Sequence, residues 1–109
     1  MAQGAIIIDA TVIESITRFR TVLEAARIPI DKMLLFGSYA KGNARANSDI
    51  DVAVVSKNFG YDDVEEMQTL YKLTHLADIR IEPYPLAPND LSDSWSPIVE
   101  VKRAHGIEI

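Results

Sequence analysis

The chain has 109 residues, 48% of them hydrophobic and 25% charged, which is the composition of an ordinary globular protein. Its length predicts a single domain over residues 1–109, and the absence of cysteine excludes disulfides, thiolate metal sites and cysteine nucleophiles. The formal charge of −5 argues against direct nucleic-acid binding, because domains that grip phosphate backbones are usually basic. The apolar run near the N-terminus is too short for a bilayer span and lacks a basic leader, so we expect a cytoplasmic protein.

The first half of the chain predicts a helix followed by two strands. Asp9 can cap the helix, and Pro29 is expected to end it. Residues 32–37 are an apolar run that stops at glycine, as in a buried strand, and residues 49–55 form a second, β-branched strand. Part of the small, polar segment between them can be a short helix. The apolar positions of the first helix are Val12, Ile13, Ile16, Phe19, Leu23 and Ala26.

The second half predicts a helix, a strand and a helix. Asp62 or Asp63 can cap a helix whose apolar face consists of Val64, Met67, Leu70, Tyr71 and Thr74. A third strand over 78–84 is then broken by Pro83, Pro85 and Pro88. A last helix starts at Ser96-Pro97, buries Ile98 and Val101 and ends at Gly106, before a short edge strand over 107–109. This order predicts an α/β (α+β) fold with helices against a small mixed sheet.

The segment between the first two strands has the residues of a phosphate site. The backbone at Gly37 can approach a ligand closely because glycine has no Cβ. The hydroxyl of Ser38 and the free N–H groups beside it can hold an anion. An ordinary strand-to-helix turn is the alternative interpretation of the same two residues.

Asp49 and Asp51 lie two residues apart at the start of the second strand, so their side chains point to the same face. Two carboxylates so close repel each other, and a divalent cation removes that cost. Magnesium takes one or two carboxylates together with substrate phosphates, and a pair of ions can clamp both oxygens of a phosphoryl displacement. The spacing therefore predicts a magnesium site.

The third strand offers a further acid, either Glu82 or Asp78. Ile79 and Ile81 are predicted on the opposite face of this strand, and either acid could bind a metal or accept a proton from an attacking hydroxyl. We prefer Glu82 because it is in the middle of the strand, although an exposed Glu82 paired with Arg80 is the simpler structural alternative.

Gly37-Ser38, a ten-residue gap and Asp49-x-Asp51 before Val52-Ala53-Val54-Val55 resemble the signature of the DNA polymerase beta-like nucleotidyltransferase superfamily. At this length the chain resembles its minimal nucleotidyltransferases, MNT-type proteins often found as antitoxins of HEPN-domain partners. The resemblance implies that Gly37 and Ser38 bind the nucleoside triphosphate and that Asp49, Asp51 and a third acid hold magnesium.

The resemblance also bears on two further positions. Lys41 falls where relatives often have arginine or lysine, which implies a triphosphate contact, with an ordinary solvated charge as the alternative. Many relatives have one aspartate among apolar residues as the third acid. This chain instead reads Asp78-Ile79-Arg80-Ile81-Glu82-Pro83, so the assignment between the two acids stays open.

The activity implied is magnesium-dependent transfer of AMP from ATP, or of another nucleoside monophosphate, to a hydroxyl. The acceptor implied by the MNT resemblance is a tyrosine of a HEPN-type partner, which the transfer would silence. The alternatives are an antitoxin that neutralises its partner by binding alone, and an aminoglycoside-type nucleotidyltransferase, which in so short a chain would need a dimer for its acceptor pocket. The four tyrosines and two histidines are most simply structural, and a tyrosine could be a modification target, but nothing in the sequence selects one.

Overall fold

The computed structural model describes residues 8–42, 44–45, 47–92 and 106–109, apart from the side chains of residues 91 and 92. The predicted element order is confirmed from the first helix to the third strand, and the helix predicted from Ser96 lies in the part of the chain outside this description. The elements are α1 (Ala10–Ala25), β1 (Lys32–Phe36), α2 (Ser38–Lys41), β2 (Ile50–Val55), α3 (Asp63–Thr74), β3 (Ile81–Leu86), a 3-10 helix (Pro88–Ser92) and β4 (Ile107–Glu108).

The four strands form one mixed sheet in the order β3-β2-β1-β4. β2 and β3 are parallel, whereas β1 is antiparallel to both β2 and β4. The predicted small mixed sheet and the C-terminal edge strand are therefore confirmed. The parallel register sets Asp51 beside Glu82, and the antiparallel register sets Phe36 opposite Asp51.

The main core lies on one face of the sheet, between the strands and helices α1 and α3. Asp9 caps α1 as predicted, because its carboxylate accepts a hydrogen bond of 2.8 Å from the backbone N–H of Thr11. The helix ends at Ala25, earlier than Pro29 requires, and Arg27 follows in the left-handed region with φ 64°. The buried core residues on this face are Val12, Ile16, Phe19, Leu23, Met33, Leu35, Ala40, Ile50, Val52, Val54, Phe59, Leu70 and Ile81.

The opposite face of the sheet carries a smaller apolar cluster, and Asp51 lies on this face at the start of β2. Phe36, Ala53, Val55 and Leu86 are its buried members. Because side chains alternate along a strand, Asp51 shares this face with Ala53 and Val55. The acids therefore lie away from the main helical core.

The third strand begins later than predicted, at Ile81, and runs through both prolines that were expected to break it. The N–H groups of Ile50 and Ser56 in and after β2 donate to the carbonyls of Arg80 and Leu86, so even-numbered residues of β3 face β2. The nitrogens of Pro83 and Pro85 consequently point away from the sheet, where the missing N–H costs no ladder hydrogen bond. An edge strand tolerates proline for this reason.

Four predicted apolar positions are wrong, because Ala26, Val64, Tyr71 and Ile79 are exposed. Ile79 is 76% exposed because it lies in the turn before β3 rather than within the strand. Val64 is 67% exposed because the first turn of α3 extends beyond the sheet-facing part of that helix, where Leu70 and Thr74 are buried.

In the described ranges, no helix is both long and apolar enough to cross a membrane.

Candidate active site

Asp51 and Glu82 are neighbours on the two parallel strands of the sheet. Adjacent strands lie roughly 4.8 Å apart, so the backbones of Asp51 and Glu82 are direct neighbours across the sheet. Asp49 immediately precedes β2, two residues before Asp51. The fold thus brings together the acids that the sequence left on separate strands, and they form what we call the acidic site (Asp49, Asp51 and Glu82).

The electrostatics of the acidic site are unfavourable in the protein alone. Burial raises the pKa of Asp51 to about 6, and the charges of Glu82 and Asp49 add to the increase. In the described portion of the chain, no ion pair involves any of the three acids. The site therefore holds negative charge that the described side chains do not neutralise.

Gly37 lies directly against Asp51, and its lack of a side chain is a geometric requirement. A Cβ built on Gly37 would overlap the Oδ2 atom of Asp51 and would lie 3.0 Å from its Cγ atom. Gly37 also has φ 74° and ψ −153°, a conformation that is essentially restricted to glycine. Gly37 therefore approaches the carboxyl group of Asp51 closely, and the predicted approach to a ligand stays a prediction.

Ser38 begins α2 directly after Gly37, and Lys41 ends it. The N–H of Lys41 donates to the Gly37 carbonyl over 3.0 Å, which closes the single turn. The N–H groups at the start of such a turn have no partner within the helix. Ser38 is therefore placed next to the acidic site, while Lys41 is exposed one turn away from it. Their roles at a triphosphate stay predictions.

Two tyrosines complete this region, and the sequence analysis treated both as packing residues. The hydroxyl of Tyr71, on α3, donates to Oε1 of Glu82 over 2.9 Å. Burial and this hydrogen bond raise the pKa of Tyr71 to about 12. The ring of Tyr84 packs on Phe36 with centroids 5.1 Å apart, and burial together with the charge of Asp51 raises its pKa. No pattern in the sequence pairs Tyr71 with Glu82, since only the packing of α3 against β3 joins them.

Asp78, the other candidate for the third acid, forms its hydrogen bonds outside the acidic site. Its carboxylate accepts hydrogen bonds from Arg80 Nη2 at 2.9 Å and from the buried Ser15 hydroxyl at 2.6 Å. The hydrogen bonds from Arg80 dominate and lower the pKa of Asp78 to about 2. Arg80 therefore pairs with Asp78 rather than with Glu82, and Glu82 is the acid beside Asp51.

The donor set suits a hard divalent cation, although the side chains do not form a closed cage. Across the described residues, no three His, Cys, Asp or Glu side chains are gathered tightly enough to hold a metal ion by themselves. Magnesium commonly binds through one or two carboxylates and takes its remaining ligands from water and phosphate. Repelling carboxylates beside the turn at Gly37 and Ser38 fit that mode of binding, and an all-protein cage is not required.

A separate cleft borders the far end of β3. It has a volume of about 430 Å³ and is lined by Met67, Tyr84, Leu86, Asp63 and Asp90 among others. Tyr84 is the residue that it shares with the region of the acids. The acidic site itself lies outside this cleft, at the start of the strands.

The family model described as polymerase beta, nucleotidyltransferase matches residues 20–94. This range includes β1, α2, β2, α3 and β3, and with them all six residues that the sequence analysis predicted for the site. A search of curated proteins finds no match.

Solved structures of the same fold extend the comparison. A nucleotidyltransferase structure from Sulfolobus solfataricus is 20% identical with a TM-score of 0.56, over 98% of this chain and 90% of that chain. A toxin–antitoxin structure with AMP-PNP is 24% identical with a TM-score of 0.52, over 84% of this chain and 69% of that chain. A mutant of the toxin–antitoxin MntA-HpeT is 20% identical with a TM-score of 0.51, with the same two shares covered. At these identities the likeness shows the fold.

Proposed function

The chain belongs to the polymerase beta nucleotidyltransferase family, and we propose that it transfers a nucleoside monophosphate from a nucleoside triphosphate to a protein hydroxyl. The observation that carries the proposal is the acidic site itself. Asp51 lies beside Glu82 and against the bare Cα of Gly37, and its pKa is raised first by burial and further by repulsion from Glu82 and Asp49. Such a charge is costly for folding and useful only with a cationic partner.

We assign Asp49, Asp51 and Glu82 as the residues that hold magnesium, with two ions as the expected number. When bound, magnesium supplies neutralisation of the negative charge that develops on the transferred phosphoryl group. Ser38 and the N–H groups that follow Gly37 bind the triphosphate, and Lys41 reaches its outer phosphates. Glu82 accepts the proton from the attacking hydroxyl, a role that suits a carboxylate within hydrogen-bond reach of a phenol.

We further propose ATP as the donor and a HEPN-type toxin as the acceptor, so that the chain acts as an antitoxin. The structural likeness to a toxin–antitoxin complex with AMP-PNP, an ATP analogue, supports this choice. The MntA-HpeT structure carries two aspartate-to-glutamate changes, and an Asp-x-Asp pair is present here at Asp49 and Asp51. The acidic charge of −5 also suits a basic, RNA-cutting partner.

The test is transfer of label from α-phosphate-labelled ATP, with magnesium, to the protein encoded beside this chain. We expect Asp51→Asn to lower the rate by about 100-fold or more, because the charge-neutralising site loses a ligand. Asp78→Asn is the matched control, since Asp78 is held by Arg80 and Ser15, and we expect its transfer rate within about threefold of the unchanged protein.

Two results would contradict the proposal. Equal loss in both variants would mean that the acids act through folding alone. Neutralisation of the toxin by Asp51→Asn without any transfer would identify a binding antitoxin instead of an enzyme.

A further inference from the structure

Tyr71 presents its hydroxyl to the acidic site from within the same chain. Its Oη atom donates to Glu82 Oε1 over 2.9 Å, and its side chain is 38% exposed. Resting on the proposed function, we propose that the chain transfers a nucleoside monophosphate to its own Tyr71. Tyr71 is then a modification site, and the hydroxyl acceptor is built into the fold.

The surroundings of the four tyrosines single out Tyr71 among the described residues. Tyr61 is 84% exposed, and its backbone N–H donates to Glu66 in the first turn of α3. The hydroxyl of Tyr39 faces the carbonyl of Arg45 at 3.4 Å. Tyr84 packs its ring on Phe36. The Tyr71 hydroxyl is the phenol that donates to an acid of the site.

The reaction balances with ATP as the named co-reactant. Glu82 accepts the phenolic proton, and Tyr71 Oη forms a bond to the α-phosphorus of ATP. The bond between the α-phosphorus and the oxygen bridging to the β-phosphorus breaks, and pyrophosphate leaves. No oxidant or reductant is needed. The acceptor and its base already lie in hydrogen-bond contact, so the step avoids the entropy cost of capturing a second molecule.

The product would remain beside the acids. A phosphodiester on Tyr71 removes the hydrogen bond to Glu82 and adds negative charge near Asp49, whose charge already acts on Tyr71. Each chain is therefore modified once, and the modified chain serves external acceptors more slowly. Self-transfer would thus limit the activity of a chain that has met no partner.

The test uses the purified full chain with magnesium and ATP, followed by intact mass and peptide mapping. We expect a gain of one AMP per chain, located on Tyr71, at a first-order rate that is independent of protein concentration. Tyr71→Phe should abolish the gain. The matched control is Tyr61→Phe, which removes an exposed phenol and keeps the hydrogen bond between Tyr71 and Glu82, so it should leave the gain intact.

A parallel reaction with the protein encoded beside this chain separates this inference from the proposed function. Label on that protein together with none on Tyr71 would overturn self-transfer and leave the proposed function standing. Slower transfer to that protein by Tyr71→Phe, again with no label on Tyr71, would identify Tyr71 as a positioning residue for Glu82 and overturn the inference. Label on Tyr61 would also overturn it, and absence of transfer to any protein would overturn both proposals.

Discussion

Asp51 and Asp78 lie near the same end of the parallel strand pair, yet their surroundings are opposite. Asp78 has a cation and two kinds of donor supplied by its own chain, namely the Arg80 guanidinium, the Arg80 N–H and the Ser15 hydroxyl. Asp51 has two other acids near it and is partly buried among them. The pKa of Asp78 is consequently lowered to about 2, and that of Asp51 is raised to about 6.

This difference separates Asp78, an acid that stabilises the fold, from Asp51, an acid that we propose binds a cation. A carboxylate that the chain neutralises itself stabilises the fold, as Asp78 does by tying the turn before β3 to α1. A carboxylate that the chain leaves uncompensated destabilises the fold, which makes it a candidate for binding a ligand that supplies the missing charge. The sequence Asp78-Ile79-Arg80-Ile81-Glu82 contains the compensated acid Asp78 and, four residues later, the proposed magnesium ligand Glu82.

The largest expected effect on stability comes from adding a side chain at Gly37, which lies against Asp51. Gly37→Ala places a methyl group on the Asp51 carboxyl and keeps a backbone conformation that alanine rarely adopts. We expect a loss of about 2–4 kcal/mol in the free energy of unfolding, measured by urea denaturation. Gly42→Ala is the control, because Gly42 also has a positive φ, 81°, and lies at the other end of α2. Equal losses in the two variants would show that backbone strain alone explains Gly37.

A smaller loss of stability is expected from replacing Asp78, the acid that is compensated by Arg80 and Ser15. Asp78→Asn should lower the free energy of unfolding by about 1–2 kcal/mol at pH 7, because the ionic hydrogen bonds to Arg80 are weakened. The folded pKa of about 2 lies below the ordinary 3.8, so the stabilisation is complete above that value and is lost as the pH falls through about 2. Denaturation curves at several pH values measure the difference. A difference that persists unchanged down to pH 2 would argue against an ionic origin.

The smallest expected effect is an increase in the free energy of unfolding when Asp51 is replaced. The folded pKa of Asp51, about 6, lies above the ordinary 3.8, so ionisation costs stability that is intact below 3.8 and is lost as the pH rises through about 6. Asp51→Asn should therefore stabilise the metal-free protein by about 1 kcal/mol at pH 8, after allowance for solvent screening, and by almost nothing at pH 4.

Thermal unfolding without and with magnesium measures this effect. Magnesium should raise the Tm of the unchanged protein more than that of Asp51→Asn, because the cation relieves a repulsion that the variant lacks. Glu65→Gln is the control, since it removes one negative charge from an exposed position of α3. A stabilisation by Glu65→Gln as large as that of Asp51→Asn would attribute the effect to net charge.

Local patterns predicted the elements well where the signal is itself local. The Asp9 cap, the apolar run of β1 and the β-branched run of β2 were all identified, and the cap of α3 is Asp62, one of the two predicted candidates, because caps and alternation depend on neighbours in sequence. The third strand was placed three residues early. Its prolines signal a break by local rules, and only its position at the sheet edge makes their missing N–H groups harmless.

The candidate site also has features that local sequence patterns show and features that only the fold determines. The Gly-Ser turn and the Asp-x-Asp pair are visible in sequence because each sits within a few residues of a strand end. Between Asp78 and Glu82 the sequence favoured Glu82 only by its position within the predicted strand and left the assignment open. Their difference depends on Ser15, which lies 63 residues from Asp78, and on the parallel register that joins Asp51 to Glu82. The same holds for Tyr71, whose helical position indicated packing and whose hydroxyl reaches Glu82 only through the packing of α3 on β3.

The sequence by itself determined which residues are available, namely a glycine-serine turn, paired aspartates and an excess of acids, and these support the chemistry that we propose. The tertiary structure decided which charges are neutralised within the protein and which are not. Charge compensation depends on distances between side chains on different elements, and these distances are set by strand register and helix packing rather than by spacing along the chain.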